Sequence, residues 1–342
     1  MKNRIIVIGA SMNGVAALLE LVKDLPKDLA APVLITQHTA PHSPGVLPLI
    51  LGRAGPLPAA YPKDREQLKR GRIYVAPPDC HLLVERDHVR LSHGPKENLT
   101  RPAVDPLFRS AAVSYGPGVV GVVLTGQLDD GTAGLLAIKD RGGVAIVQDP
   151  DEAAAPSMPL NALKHVEVDH CCKLKDMPAL LASLAADSPG SDPVDTSRML
   201  EIEHHIAAGV ANTEDWLELE HRSSPAGFSC PECKSSLHRL AEMRILRFRC
   251  RSGHAFSGDS LLRGLADARE ALLSSMFSAL SEEASLAETL TRRAEYSDDP
   301  AVLAALKERV TRLRAQAEQV SAWLHSTLEL LEPKLAASSD DT

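Results

Sequence analysis

Three residue types able to perform acyl transfer stand at strand-like ends in the first half of the chain. Ser11 follows the apolar run "RIIVIGA", His38 closes "VLITQH", and Asp129 and Asp130 follow "GVVLTGQL". A serine hydroxyl is a weak nucleophile until a neighbouring base takes its proton, and an imidazole works best when a carboxylate orients it. The set therefore suits a nucleophile–base–acid relay if the fold brings the three ends together. Each residue also has a plainer reading. A strand-end serine caps a helix, a single histidine sits in a hydrogen-bonded niche, and Asp-Asp-Gly makes a turn.

A second group lies far downstream. "CPEC" and "CRSGH" supply Cys230, Cys233, Cys250 and His254 as C-x2-C, sixteen residues, then C-x3-H. Two ligand pairs at such spacing suit tetrahedral Zn²⁺ in a closed, structural site of the zinc-ribbon kind. His238 competes for the fourth position. Arg244, Arg247, Arg249 and Arg251 crowd the motif beside Phe248 and Phe256. They could meet an acidic partner or nucleic acid, but packing around and neutralising a thiolate-rich site is the preferred reading. Cys80, Cys171 and Cys172 suggest packing only.

Positioning the first group requires strands that share one edge. "RIIVIG", "APVLITQH", "GRIYVAPPD", "GVVGVVLTG" and "VAIVQD" read as strands, and the third of these is followed by a hairpin, "HLLVERDHVRLS", turning near Arg86 and Asp87. Helical periodicity runs from Val15 through Leu18, Leu19, Val22 and Leu25, then again in "LLAIKDRGG" and "DMPALLASLA". Asp105 is predicted as an N-cap with Pro106 at the first helical position. Alternating strands and helices indicate a doubly wound, mostly parallel α/β sheet, with "GVVGVVLTG" central. In such a sheet Ser11, His38 and one of the two aspartates all follow strand C-termini, where ligands bind.

Phosphate chemistry fits "GASMNG" less well. A dinucleotide fingerprint needs a glycine where Ser11 stands, and a P-loop needs Lys-Ser/Thr where Val15 and Ala16 stand.

With 342 residues the chain has room for more than one domain. It is 44% hydrophobic, 24% charged and only 3% aromatic, so its cores must be aliphatic. A net charge of −8 makes general nucleic-acid binding a poor expectation. Without a long apolar run or a signal-peptide pattern, the expected location is cytoplasmic, with no direct membrane insertion. The expected organisation is a catalytic domain at 1–186, a linker with a short helix at 187–225, a Cys3His module at 226–258, a long helical hairpin or coiled coil at 259–334 and a disordered tail at 335–342. In the last helix Leu303, Leu306, Val310, Leu313, Ala317, Val320 and Leu324 step as a heptad seam. The seam can be buried within the hairpin or in a homodimer through the C-terminal helices.

"VIGASMNGVAALLELV", "PVLITQHTAPHSPGVLPLIL", "GRIYVAPPDCHLL", "RPAVDPLFRSAA" and "VVLTGQLDDGTAGLLAIKDRGG", in that order, resemble the catalytic domain of CheB-type protein-glutamate methylesterases. The resemblance implies hydrolysis of glutamate methyl esters on chemoreceptors or similar signalling proteins, without a catalytic cofactor, and in some members deamidation of receptor glutamines. It places the nucleophile on Ser11, the base on His38 and the orienting carboxylate on Asp130 rather than Asp129. The family usually follows its serine with a small residue and two glycines; here Met12 and Asn13 precede the one remaining glycine, Gly14. Gln127 stands where many members carry methionine. A receiver domain, usual in the chemotaxis enzymes, is not expected, because the chain begins at the catalytic strand. The alternative is a weakened or inactive signalling scaffold that binds partners through its zinc and helical tail.

Overall fold

The structure, a computed structural model, describes residues 4–190, 196–241, 244–294 and 300–331. The tail expected at 335–342 and the break around 295–299 lie outside the described residues. The chain divides into two compact units, Met1–Leu261 and Leu262–Thr342.

The first unit opens with β1 (Ile5–Ala10), α1 (Gly14–Lys23), β2 (Val33–Gln37), α2 (Leu47–Ala54), β3 (Ala59–Ala60) and β4 (Ile73–Val75). The hairpin β5 (His81–Glu85) and β6 (His88–Ser92) turns at Arg86–Asp87 and leads to α3 (Val104–Tyr115). Then come β7 (Val119–Val123), α4 (Thr132–Asp140), β8 (Val144–Gln148), α5 (Ser157–His165), β9 (His170–Cys172) and α6 (Met177–Ala186).

Seven of these strands form one parallel sheet in the order β3-β4-β2-β1-β7-β8-β9. Both faces are covered by helices, which is why the central strands read as unbroken apolar runs. Side chains of β1 alternate between the two cores. Ile5 and Val7 face Leu107 and Phe108 of α3 and Leu135 of α4, while Ile6 and Ile8 face Leu18 and Leu21 of α1 and Leu181 of α6. Each such fully buried aliphatic side chain contributes about 1.5–3 kcal/mol. From β1 the chain winds outward through β2 to β4 and β3. It then returns to β7 on the other side of β1 and continues to β8 and β9. The switch point therefore lies between β1 and β7, and the crevice there is the general ligand site of open α/β sheets. The sequence pattern did not disclose the edge strands β3 and β9, whose two and three residues are too short for a period.

Residues 187–225 hold the short helix expected there and a second one that was not. They carry two helices, α7 (Arg198–Ala208) and α8 (Thr213–His221), and enter strand β10 (Ser223–Ser229). Ser197 caps α7 by accepting from Leu200 N, and Asn212 and Asp215 form a capping box on α8. Their apolar faces bury Ile202, Ile206 and Leu219 against Leu240. The periodicity of α8 is short and easily lost among polar neighbours.

β10 pairs antiparallel with β11 (Ser236–Leu240), then β12 (Arg247–Cys250) and β13 (Ala255–Ser257) complete a four-stranded sheet. Its core is small: Leu237, Phe248, Phe256 and Leu261 around Cys230 and Cys250. This sheet belongs to the same compact unit as the large one. Chain 96–98 runs beside β13, with a parallel bridge of Glu97 to Ala255 and Asn98 N–H donating to Ala255 O at 2.9 Å.

Two long helices follow, α9 (Gly258–Ala294) and α10 (Pro300–Leu331). Within the second unit Val310 and Leu313 of α10 pack on Leu280, Ala284 and Ala287 of α9. Arg309 pairs with Glu283 and Arg314 with Glu288 across the two helices. Leu313, Ala317 and Val320 of the heptad seam are buried in the hairpin. Among the described residues no helix is long and apolar enough to cross a membrane.

Candidate active site

Ser11 sits at the end of β1, where the chain turns through Met12 and Asn13 into α1. Asn13 adopts φ 58°, the left-handed region that asparagine enters more readily than most residues, so it does the work of the missing glycine. Gly14 has no substitute: a Cβ there would lie 2.1 Å from Gln37 Oε1. Gln37 closes β2 and donates through Nε2 to Ser11 O (2.8 Å) and His38 O (3.0 Å), tying the two strand ends together. Across the switch point Ser11 N–H donates to Thr125 O at 3.0 Å. A Cβ on Gly126 would come within 2.8 Å of Ser11 Cβ and 2.0 Å of Met158 Sδ, so glycine is required for this approach.

These ends bring Ser11, His38 and Asp130 into one line. Ser11 Oγ lies 3.0 Å from His38 Nδ1, and His38 Nε2 lies 2.7 Å from Asp130 Oδ2. The Asp130 side chain is 3% exposed and that of His38 is 19% exposed. An ionised carboxylate only accepts, so the proton belongs on Nε2 and the Nδ1 lone pair faces the serine hydroxyl.

Asp130 has a second task. Its Oδ2 accepts from Val104 N (2.6 Å) and its Oδ1 from Asp105 N (3.1 Å), so it caps α3. The expectation that Asp105 is the N-cap is corrected: α3 begins at Val104, and Asp105 is buried in its first turn. There Asp105 Oδ1 accepts from Gly131 N and Gly134 N. Burial and the charge of Asp130 push Asp105 up to about 8. Burial also opposes ionisation of Asp130, but hydrogen bonds from His38, Val104 and Asn98 outweigh it and hold this carboxyl low. Two buried carboxyls thus carry one charge, and it rests on the one that faces histidine.

Asp129 points elsewhere. It accepts from Ser257 Oγ of β13 at 2.7 Å, and burial pushes it up to about 6. The rim beside Ser11 is formed by Met12, 53% exposed, whose sulfur takes Gln127 Nε2 at 3.6 Å. Sequence reasoning missed Gln37, Asn98 and Ser257. The Gln-His dipeptide was a usable signal for the first; nothing in local spacing marks the other two.

The downstream cysteines and His254 also converge, their ligand atoms all within 4.8 Å of one another. Cys233 Sγ and Cys250 Sγ are 3.6 Å apart, and His254 Nδ1 lies 3.8 Å from Cys230 Sγ and 3.6 Å from Cys250 Sγ. A tetrahedral zinc with ordinary Zn–S bonds sets sulfurs roughly 3.7 Å apart, so the donors fit that ion. Burial pushes Cys230 up to about 12. At Cys233 hydrogen bonds from Ser235 and Ser252 outweigh burial and bring the thiol down to about 7. His238 lies outside the cluster, on β11 near Ser223 Oγ. The four arginines pair with carboxylates rather than thiolates. Arg247 and Arg249 are buried against Glu203, with Arg249 also 3.1 Å from Glu97, while Arg244 meets Asp140 and Arg251 meets Glu220.

The chain belongs to the CheB methylesterase family, whose sequence model matches residues 6–181. A Leptospira interrogans relative is 37% identical over 180 residues, spanning 52% of this chain and 93% of that protein. Protein-glutamate methylesterase/protein-glutamine glutaminase 2 of Anaeromyxobacter dehalogenans is 36% identical over 180 residues, 53% of each chain. The crystal structure of the Thermotoga maritima CheB methylesterase catalytic domain superposes with a TM-score of 0.52 at 31% identity, covering 54% of this chain and all of that one.

Proposed function

We propose that this protein is a protein-glutamate methylesterase that works through Ser11, His38 and Asp130 without a catalytic cofactor. The observation that carries the reading is the hydrogen-bonded line of those three side chains at the switch point of a CheB-family sheet. Ser11 Oγ attacks the side-chain ester carbonyl as His38 Nδ1 takes its proton. Asp130 remains ionised and stabilises the imidazolium. Collapse of the tetrahedral intermediate breaks the C–O bond, and the proton on Nδ1 leaves with methoxide as methanol. Water then attacks the acyl-serine, giving a proton to Nδ1; the C–Oγ bond breaks, Oγ takes that proton back from Nδ1, and the glutamyl carboxyl is released. Backbone N–H groups of Met12 and Gln127, which make no hydrogen bond among the described residues, are the candidate oxyanion donors. The same steps with ammonia as leaving group would deamidate glutamine.

The substrate class is the methylated cytoplasmic region of a chemoreceptor or similar signalling protein. The test is methanol release from methylated receptor fragments. Wild type should release it, and Ser11→Ala should lose at least about 10³-fold in kcat with its melting temperature unchanged. Equal release by both proteins would remove Ser11 from the chemistry.

Cys230, Cys233, Cys250 and His254 are proposed to hold one structural Zn²⁺. Metal analysis of the purified chain should find zinc that Cys250→Ser loses.

A further inference from the structure

Asn98 stands between the two centres. Its Nδ2 donates to Asp130 Oδ1 at 2.9 Å and to Asp105 Oδ2 at 3.0 Å. Its Oδ1 accepts from Ser257 N at 3.0 Å and from Ser260 Oγ at 2.9 Å. An asparagine side chain has two donor hydrogens and two acceptor lone pairs, and here all four are in use. The amide has one workable orientation, because a flipped group would turn its oxygen onto two carboxyls.

The acceptor side is met by the last residue of the small sheet, Ser257, and by Ser260 in the first turn of α9. Ser257 is the last residue of β13, three positions after His254, and it caps α9 by accepting from Ser260 N at 3.0 Å. Its own hydroxyl reaches Asp129, the neighbour of Asp130. Around this point the two parts are clamped by buried ions. Arg109 of α3 holds Glu97 at 2.6 Å, Glu97 meets Arg249 of β12, and Arg249 reaches Glu203 of α7 at 2.7 Å. The Asn98 backbone, at φ 48°, is pinned to Ala255. Asn98 is thus held on one side by the segment that follows the Cys/His cluster and hands two hydrogens to the acid end of the relay on the other.

We propose that Asn98 is a positioning residue for Asp130, and that the Cys/His sheet, through Ser257 and Ser260, holds Asn98 in place and so sets turnover. The inference rests on the Ser11–His38–Asp130 reading above. Asp130 needs Oδ2 aimed at His38 Nε2 while Oδ1 is anchored elsewhere. Asn98 Nδ2 is the side-chain anchor, and small misplacements of an orienting group are expensive in rate. The small sheet becomes a structural part of the esterase site rather than an appendage.

The test separates the two sides of the amide in the full-length chain. Asn98→Asp keeps the shape and the acceptors but loses both donors. Ser257→Ala/Ser260→Ala removes the Ser260 hydroxyl that donates to Asn98 Oδ1 and the Ser257 hydroxyl that holds Ser260 and Asp129, while the Ser257 N–H and Asn98 itself stay in place. Each should lower kcat for methyl-ester hydrolysis by about 10- to 100-fold, with KM within about twofold. Their combination should fall little further than either alone. Ser257→Thr, which retains the hydroxyl, should restore most of the rate. Zinc chelation should slow wild type but not the serine double variant. The rate of Ser11 labelling by a fluorophosphonate, read in parallel, should fall with kcat.

Wild-type kcat and labelling in the double variant, or additive losses in the combination, would overturn the coupling. So would an unchanged rate in protein shown to have lost its zinc. If wild type labels at Ser11 but hydrolyses no methyl ester, the methylesterase reading fails, and the labelling rates still decide the role of Asn98. A wild type that neither labels nor hydrolyses removes both.

Discussion

The two centres of the first unit are assembled in opposite ways. Ser11, His38 and Asp130 lie 27 and 92 residues apart in pairs and meet because three neighbouring parallel strands end together. Ser11 and His38 are held by backbone bonds to Thr125 and Ala10, and Asp130 by the α3 N-terminus and Asn98. The Cys230–His254 ligands come from one short stretch, around a core of a few side chains. The sheet therefore makes the first site, whereas the second must in large part make its sheet. A relay built on a rigid scaffold should lose rate and keep its fold when a member is removed. A cluster inside a small core should lose its fold first, and cost rate only through the hold of that fold on Asn98.

The largest effect should come from the relay. Asp130→Asn reverses the hydrogen-bonding character of the group facing His38 Nε2 and favours the wrong tautomer, so kcat should fall by about 10⁴-fold. Steady-state methanol release measures it. Some stability should go as well, because Asp130 also caps α3; a missing cap contributes about 1 kcal/mol. A loss below tenfold would mean that Asp130 does not orient the base.

Next is the cluster. Cys250→Ser, or removal of zinc, should lower the melting temperature of the full chain by about 5 °C or more. Far-UV circular dichroism should still show the large sheet. An unchanged melting curve would mean that the strand pairing and Phe248–Phe256 packing suffice without metal.

The buried ion cluster between the two regions gives a pH signature. Burial opposes ionisation of Glu203, but Arg247, Arg109 and Arg249 outweigh it and hold the carboxyl far below its ordinary 4.5. Glu97 is lowered in the same way by Arg109 and Arg249. A carboxyl with a depressed folded pKa stabilises the fold above its unfolded value, and that stability is lost as pH falls below about 4.5. Glu203→Gln should therefore lose about 3 kcal/mol at pH 7, because two buried arginines lose a partner, and the loss should shrink toward pH 3. Denaturant titrations at several pH values check the slope.

The same contrast explains how much could be read from the chain. The parallel sheet was legible because "IIVIG", "VLITQ" and "GVVGVV" are β-branched runs with no polar face. The Cys/His cluster was legible because its spacing is local. Ser11, His38 and the aspartate pair could be found as strand ends, but Asp130 was chosen over Asp129 by family likeness. The reason for that choice is three-dimensional: Asp130 faces the α3 N-terminus, and Asp129 faces Ser257. Asn98 was invisible because three of its four partners, Asp130, Ser257 and Ser260, come from distant parts of the chain. The arginines were misassigned for a related reason, since Glu97 and Glu203 are remote in sequence and adjacent in space. Helix α7 was read as the short helix of the linker, whereas α8 was lost to a polar composition that its cap, Asn212, compensates.

Asp129 should show the smallest effect and the opposite sign to Glu203. Burial, with the charges of Asp259 and Asp130 adding to it, raises its carboxyl from 3.8 to about 6 despite the bond from Ser257. The folded state then binds more protons than the unfolded chain between those values, so this group's contribution declines as pH rises from about 4 to 6. Asp129→Asn retains an oxygen for Ser257 and removes the titration. It should leave the stability at pH 4 nearly unchanged and raise it at pH 7 by about 1 kcal/mol, read as a difference in denaturation midpoint. A gain confined to neutral pH would show that the carboxylate is tolerated at this junction against a standing electrostatic penalty. Equal stability of variant and wild type across the range would mean that water reaches Asp129, and that Ser257 is fixed by Asn98 and the α9 cap alone.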